Sequence, residues 1–327
     1  MNIIQSQNHY LVGKDVVVEK LPVQSIIFQL ATNIKPKDVR SLLGNELPGF
    51  FAYENHIYFA SQGTDDVTLS HESAPPMEVL LKEREIAQEQ INQYKENHNE
   101  TAPPSERTME EELVYIYHSH SYESFLPLLK DATIPVEAIS NNPEVNVIAV
   151  GNMLKKELKN KGINANHDMT NVTKELHARG WKASQAYQYS REGLQEVLAT
   201  NNEVKYVIDI HRDSARKEHT TAIINGKSYA KVMFVVGESH KDYKKNMEFA
   251  TKLDNAMEAK YPGISRKIWP KNKSQGNGVY GQDLSNKSIL LEVGGVDNNL
   301  EELHNTIKAF AEVYSEILWK EKDAGAF

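Results

Sequence analysis

The chain has 327 residues, of which 40% are hydrophobic and 25% charged, a formal net charge of -8 and no cysteine. Lacking cysteine, it can form no disulfide, thiolate zinc site, iron–sulfur cluster or cysteine nucleophile, so any metal must be held by His, Asp or Glu. Its mixed, net-negative charge disfavours a general nucleic-acid binder, which needs a concentrated basic face, and no segment approaches the roughly 18 uncharged apolar residues of a membrane span.

The opening stretch, "MNIIQSQNHYLVGKD", lacks the basic flank, apolar run and small-residue cleavage site of a signal peptide. This leaves a cytoplasmic chain, or one from which a targeting segment has been left off. From Val16 to Ala60, "VVVEKLPVQSIIFQLA", "KPKDVRSLLG" and "FFAYENHIYFAS" read as short strands and helices of a small N-terminal accessory α+β domain over residues 1–75. Residues 76–110 read as a linker. Between Pro75–Pro76 and Pro103–Pro104, "MEVLLKEREIAQEQINQYKENHNE" predicts one charged helix with a thin apolar stripe.

After Glu111 the pattern alternates between strand and helix, which predicts an α/β domain over residues 111–327. "LVYIYH" is its first strand; "VNVIAVGNMLKKELKNKG" is a helix ending at Gly162; "INANHD" is a short strand; a helix covers roughly Lys182 to Thr200. "VKYVIDIHRDS" is apolar on both faces, as in a covered sheet. "TTAIING" and "YAKVMFVVG" form two strands around Asn225 and Gly226, "NMEFATKLDNAMEAKY" is a helix, and "SILLEVGG" is a buried strand. The final helix carries Leu303, Ile307, Phe310, Tyr314 and Ile317 along one stripe. No period repeats.

Ligands of open α/β sheets gather at strand carboxyl ends, and three strands here end in reactive groups. One ends in His118, His120 and Glu123, another in His211, Arg212 and Asp213, and the last carries Glu292 before Gly294 and Gly295. Two imidazoles and a carboxylate with an open position are the ligand set of a catalytic zinc. His120 and Glu123 share a face if a helical turn begins there, while His118 points with His120 if the strand continues. Geometry therefore permits either histidine, and the pairing with Glu123 favours His120; His211 is the third ligand. Glu292 interrupts an apolar strand, where an unpaired carboxylate is costly, and it is placed to move a proton. The residues alone thus point to metal-assisted hydrolysis of an amide or ester.

Other polar groups have plainer readings. His167 and His177 lie near turns and read as surface groups. Arg212 and Asp213 are an ion pair or helix cap, or else contact substrate or the ligands. Tyr115, Tyr117 and Tyr122 read as sheet packing. Ser119 and Ser121 lack the Gly-x-Ser-x-Gly elbow of a serine nucleophile.

In order, "YIYHSHSYESFLP", "VIDIHRDS", "KSYAKVMFVVG", "GQDL" and "LLEVGG" resemble the stage II sporulation protein P family, related to zinc-dependent N-acetylmuramoyl-L-alanine amidases. The resemblance runs from about Val114 to Lys320. It implies a mixed, mostly parallel twisted sheet with helices on both faces, and Zn2+ on His120, Glu123 and His211. It also implies Glu292 as the catalytic carboxylate, His118 beside the metal, and Gln282 and Asp283 as candidates to contact substrate or to support the ligands. Unlike amidases at large, Glu123 follows its histidine immediately, and Gly281 stands where Asn is expected. The implied activity is cleavage of the amide between muramic acid and L-alanine in peptidoglycan, with crosslink endopeptidase action, during engulfment in sporulation. The implied partners are peptidoglycan and sporulation proteins D and M. The implied location is extracytoplasmic, at the sporulation septum, with an N-terminal membrane span that is absent from this chain. The competing expectation is a non-catalytic wall-binding scaffold with a vestigial metal site.

Overall fold

The computed structural model describes residues 75–98 and 105–325, all within the compact unit Asn55–Phe327. The expected accessory domain of residues 1–75 therefore lies almost entirely outside the described residues.

Six strands form one sheet: β1 (Val114–Tyr117), β2 (Ala165–His167), β3 (Tyr206–Asp213), β6 (Val232–Gly237), β7 (Ser265–Lys271) and β8 (Ser288–Gly295). Their order is β2-β1-β3-β8-β6-β7. The first four run parallel, whereas β6 pairs antiparallel with β8 and parallel with β7. The sheet is mixed and mostly parallel, as expected. Every residue of β3 and β8 is buried, which is why both read as continuous apolar runs. The hairpin β4 (Thr221–Ile224) and β5 (Lys227–Ala230) turns through Asn225 and Gly226, both at positive φ, the pair a tight hairpin favours.

Helices cover both faces. On one, Ile116, Ile208, Ile210, Ile289, Leu291 and Phe234 form the main core with α3 (Val147–Asn160), α7 (Tyr243–Lys260) and α8 (Leu300–Asp323). The last is capped by Asn299, whose side chain accepts the Glu302 N–H. On the other face, Leu194 of α5 (Ala186–Thr200) packs on Tyr115, Tyr117 and Val207. Side chains alternate along a strand, so Asp209, His211 and Glu292 share this second face with Tyr117 and Leu290.

Four elements differ from expectation. The single strand expected over "YAKVMFVVG" divides into β5, which pairs only with β4, and β6, which joins the main sheet. The predicted linker helix is split into α1 (Met77–Leu80) and α2 (Gln88–Asn97), with Ile86 bridging to Leu129 between them. Its apolar stripe serves two different sites: Leu80 packs with Tyr122 and Ile139, and Ile91 enters the main core. A short α4 (Val172–Ala178) precedes α5, where only a turn was expected. Finally, "SRKIWPK" is strand β7; its charges and Pro270 hide the strand pattern but are tolerated at a sheet edge.

Candidate metal centre

β1 leaves the sheet after Tyr117, and the chain turns so that the Glu123 N–H donates to the His120 carbonyl at 3.0 Å. This i to i+3 closure puts the two side chains together, with His120 Nδ1 3.2 Å from Glu123 Oε1. β3 lies beside β1 and delivers His211, whose Nδ1 is 3.3 Å from Glu123 Oε2. One ligand atom from each of His120, Glu123 and His211 lies within 4.8 Å of the others. All three residues are buried. Three of the expected site residues thus converge, from segments some ninety residues apart in sequence.

Asp209, one alternation before His211, orients its ring. Asp209 Oδ1 accepts from His211 Nε2 at 3.0 Å and from the Ser119 N–H at 2.9 Å, while Oδ2 accepts the Ser119 hydroxyl at 2.6 Å. Such a carboxylate behind a ligand imidazole fixes its orientation and raises its basicity. Asp209 was missed in the sequence, although a charge inside "VIDIH" carries the same burial cost that marks Glu292.

Arg212 braces the glutamate. Its N–H donates to Glu123 Oε2 at 3.0 Å, and its guanidinium donates to the carbonyls of Ser124 and Ala138 at 2.9 and 2.8 Å. Asp213 pairs with Arg266 at 2.6 Å and also accepts the Ala215 N–H, so Arg212 and Asp213 are not partners of one another. Gly295, past the end of the same rim, is kept bare by the Ala215 carbonyl, which lies 2.3 Å from where a Cβ would be.

Glu292 stands beside His211 in the β3–β8 register and beside Met233 in the β8–β6 register. Its Oε2 is buried without a hydrogen-bond partner. Burial pushes the Glu292 carboxyl up to about 8, with the nearby His211 opposing and Glu123 reinforcing. Burial also works against charge on Glu123 and His211, but their mutual attraction overrides it. Flanked by His211 and His120, Glu123 is held well below the usual carboxylate range, and Asp209 and Glu123 hold His211 well above the usual histidine range.

The remaining expected residues lie elsewhere. His118 turns away from the group: its Nδ1 faces the Ile210 carbonyl at 3.1 Å and its Nε2 lies 2.8 Å from His167 Nε2. His167 is buried rather than on the surface, whereas His177 is exposed. The difference arises because β2 pairs with β1, which brings the end of β2 beneath α3. The Gln282 amide accepts from the Gly237 N–H at 2.9 Å and donates to the Val235 carbonyl at 2.8 Å, and Asp283 pairs with Arg191 at 2.6 Å. Tyr115 and Tyr117 stack in the sheet core. Ser121 Oγ accepts the Val172 N–H at 2.9 Å. Sequence reasoning also missed Tyr187 on α5, whose ring centroid lies 4.8 Å from that of His120 and 6.0 Å from that of His211; no spacing in the sequence announces it.

The donor set fits a divalent cation that accepts nitrogen and oxygen ligands. Two buried imidazoles and a carboxylate face one another, and a buried carboxylate oxygen beside them has no partner.

Among solved structures, the fold is similar to an N-acetylmuramoyl-L-alanine amidase from Clostridium difficile 630, at 15% identity and TM-score 0.34 over 66% of this chain and 98% of that one. It is also similar to a metallo-carboxypeptidase from Burkholderia cenocepacia, at 12% identity and TM-score 0.36 over 68% and 59% of the two chains. The chain is 40% identical to stage II sporulation protein P of Bacillus subtilis (strain 168), over 99% of its own length and 81% of that protein's. With the family model "Stage II sporulation protein P (SpoIIP)" matching residues 37–315, the chain belongs to the stage II sporulation protein P family.

Proposed function

We propose that this protein is a zinc-dependent peptidoglycan hydrolase that cleaves the N-acetylmuramoyl-L-alanine amide, with crosslink endopeptidase action at the same site. The observation that carries the reading is the convergence of His120, Glu123 and His211 beside the partnerless oxygen of Glu292, in a chain of a sporulation family.

His120, Glu123 and His211 would hold the ion, Asp209 keeping the His211 ring oriented and Arg212 the Glu123 carboxylate. Zinc bound there would polarise the amide carbonyl and acidify water. In its ionised form, which the positive charge of a bound ion would favour, Glu292 takes a proton from the attacking water and returns it to the leaving nitrogen. The protein then acts outside the cytoplasm at the sporulation septum during engulfment, alongside sporulation proteins D and M.

The test uses purified protein and cell-wall sacculi. About one zinc per chain, release of stem peptides bearing a free L-alanine amino group, and loss of release with a chelator are expected. Binding to sacculi without released product would favour a non-catalytic wall scaffold instead.

A further inference from the structure

On the far side of His118 runs a chain of polar side chains to which the chemistry above gives no task. β1 ends with Tyr117 opposite Asp209, so the Ile210 carbonyl lies one residue beyond the last β1–β3 pair. His118 Nδ1 faces that carbonyl at 3.1 Å, and because a carbonyl only accepts, Nδ1 carries the hydrogen. His118 Nε2 meets His167 Nε2 at 2.8 Å, and His167 Nδ1 lies 3.1 Å from the Oδ1 of Asn152 on α3.

Buried rings favour the neutral form, and neutrality dictates every proton. His118 Nε2 must accept, so His167 Nε2 donates and its Nδ1 accepts. Asn152 must then present its N–H2 to His167, which requires the carboxamide to be turned about so that nitrogen and oxygen exchange places. The space for this pair is made by Gly151: a Cβ there would lie 2.4 Å from His167 Nε2 and 2.7 Å from His118 Nε2.

Ile210 immediately precedes His211, and His118 opens the turn that carries His120 and Glu123. A single imidazole therefore ties together the two segments that supply all three ligands. We propose that His118 and His167 are positioning residues of the metal centre: the directed chain Asn152–His167–His118 clamps the Ile210 carbonyl to the start of the ligand turn and sets the spacing of His211 from His120 and Glu123. This rests on reading those three residues as metal ligands. Neither His118 nor His167 belongs to the His120–Glu123–His211 group.

The test loads the purified chain with cobalt(II), recording the visible absorption of the bound ion and its affinity by chelator competition. His167→Ala and Gly151→Ala should each weaken cobalt binding about 10- to 100-fold and shift the absorption bands, with far-ultraviolet circular dichroism unchanged. His167→Gln, whose amide N–H can still donate to His118, should restore most of the affinity and the bands. Wild-type affinity and spectrum in folded His167→Ala would overturn the proposal. So would Gln behaving no better than Ala, because a merely structural role gives no reason for rescue. Should Gly151→Ala fail to fold, the His167 pair decides. Should wild-type protein bind no cobalt, it is the metal reading that fails. Nitrogen-15 spectra of wild-type side chains then test the chain itself, and a His118 hydrogen on Nε2 instead of Nδ1 overturns it.

Discussion

Glu292 and His211 are direct neighbours across two parallel, fully buried strands, yet their environments push them to opposite states. His211 is flanked by Asp209 and Glu123 and favours its charged form, whereas burial leaves Glu292 favouring its neutral form. The proton that His211 favours in the metal-free chain is one a bound cation would displace, since only the neutral imidazole is a ligand.

Glu292→Gln should abolish hydrolysis while leaving bound zinc unchanged. Hydrolytic rates and metal content of the variant check this together; surviving activity would place the base on another residue.

The same substitution separates by pH in metal-free protein. The Glu292 carboxyl titrates near 8 when folded against 4.5 as its ordinary value. The stability linked to its proton is therefore fully present below about 4.5 and lost as pH rises through about 8. Gln mimics the protonated form, so Glu292→Gln should gain on wild type by about 4 kcal/mol between pH 4.5 and 9. Urea unfolding with chelator present, at both pH values, measures the gain.

Asp209→Asn should retain the fold but lower zinc affinity about 10- to 100-fold, because it weakens the acceptor that fixes the His211 ring. His120→Ala or His211→Ala should cost more, since each would remove a proposed ligand. Chelator competition ranks the three, and an Asp209→Asn affinity equal to wild type would contradict the role given to that carboxylate.

Acid should strike the His118–His167 pair. Burial lowers His118 to about 4, and burial together with its neighbour lowers His167 to about 3, against an ordinary 6.5. Depressed values mean stability that is fully present above about 6.5 and lost as pH falls through 4 and 3. His167→Gln removes one titrating ring, so its unfolding free energy should fall less steeply from pH 6.5 to 4 than that of wild type. Parallel slopes would exclude the pair as the source of acid sensitivity.

α2 should prove integral to the main unit. Ile91 is only 1% exposed within the main core, so Ile91→Ala should destabilise by about 2–5 kcal/mol. Urea unfolding measures this, and a loss under about 0.5 kcal/mol, as at a surface position, would make the segment a true linker.

Much of the fold was legible because its signals are local. The uninterrupted apolar runs of β3 and β8 announce covered central strands. The i to i+3 spacing of His120 and Glu123 needs only one turn of chain to become a contact. The edge strand β7 was not legible, because Arg266, Lys267 and Pro270 break its alternation. Its place beside β6, with Arg266 paired to Asp213, is what makes it a strand.

The stretch "HSHSYE" by itself determined that a histidine and a glutamate would stand together at a strand end, and the charge inside "ILLEVG" that a carboxylate would be buried. Only the tertiary structure decided which of the two histidines stands with Glu123 and His211. His118 is claimed by the Ile210 carbonyl and by His167, while His120 turns toward Glu123 and His211. That choice depends on the β2-β1-β3 strand order and on the missing Cβ of Gly151. Both belong to segments that meet His118 only when the sheet assembles, so no local spacing could encode it.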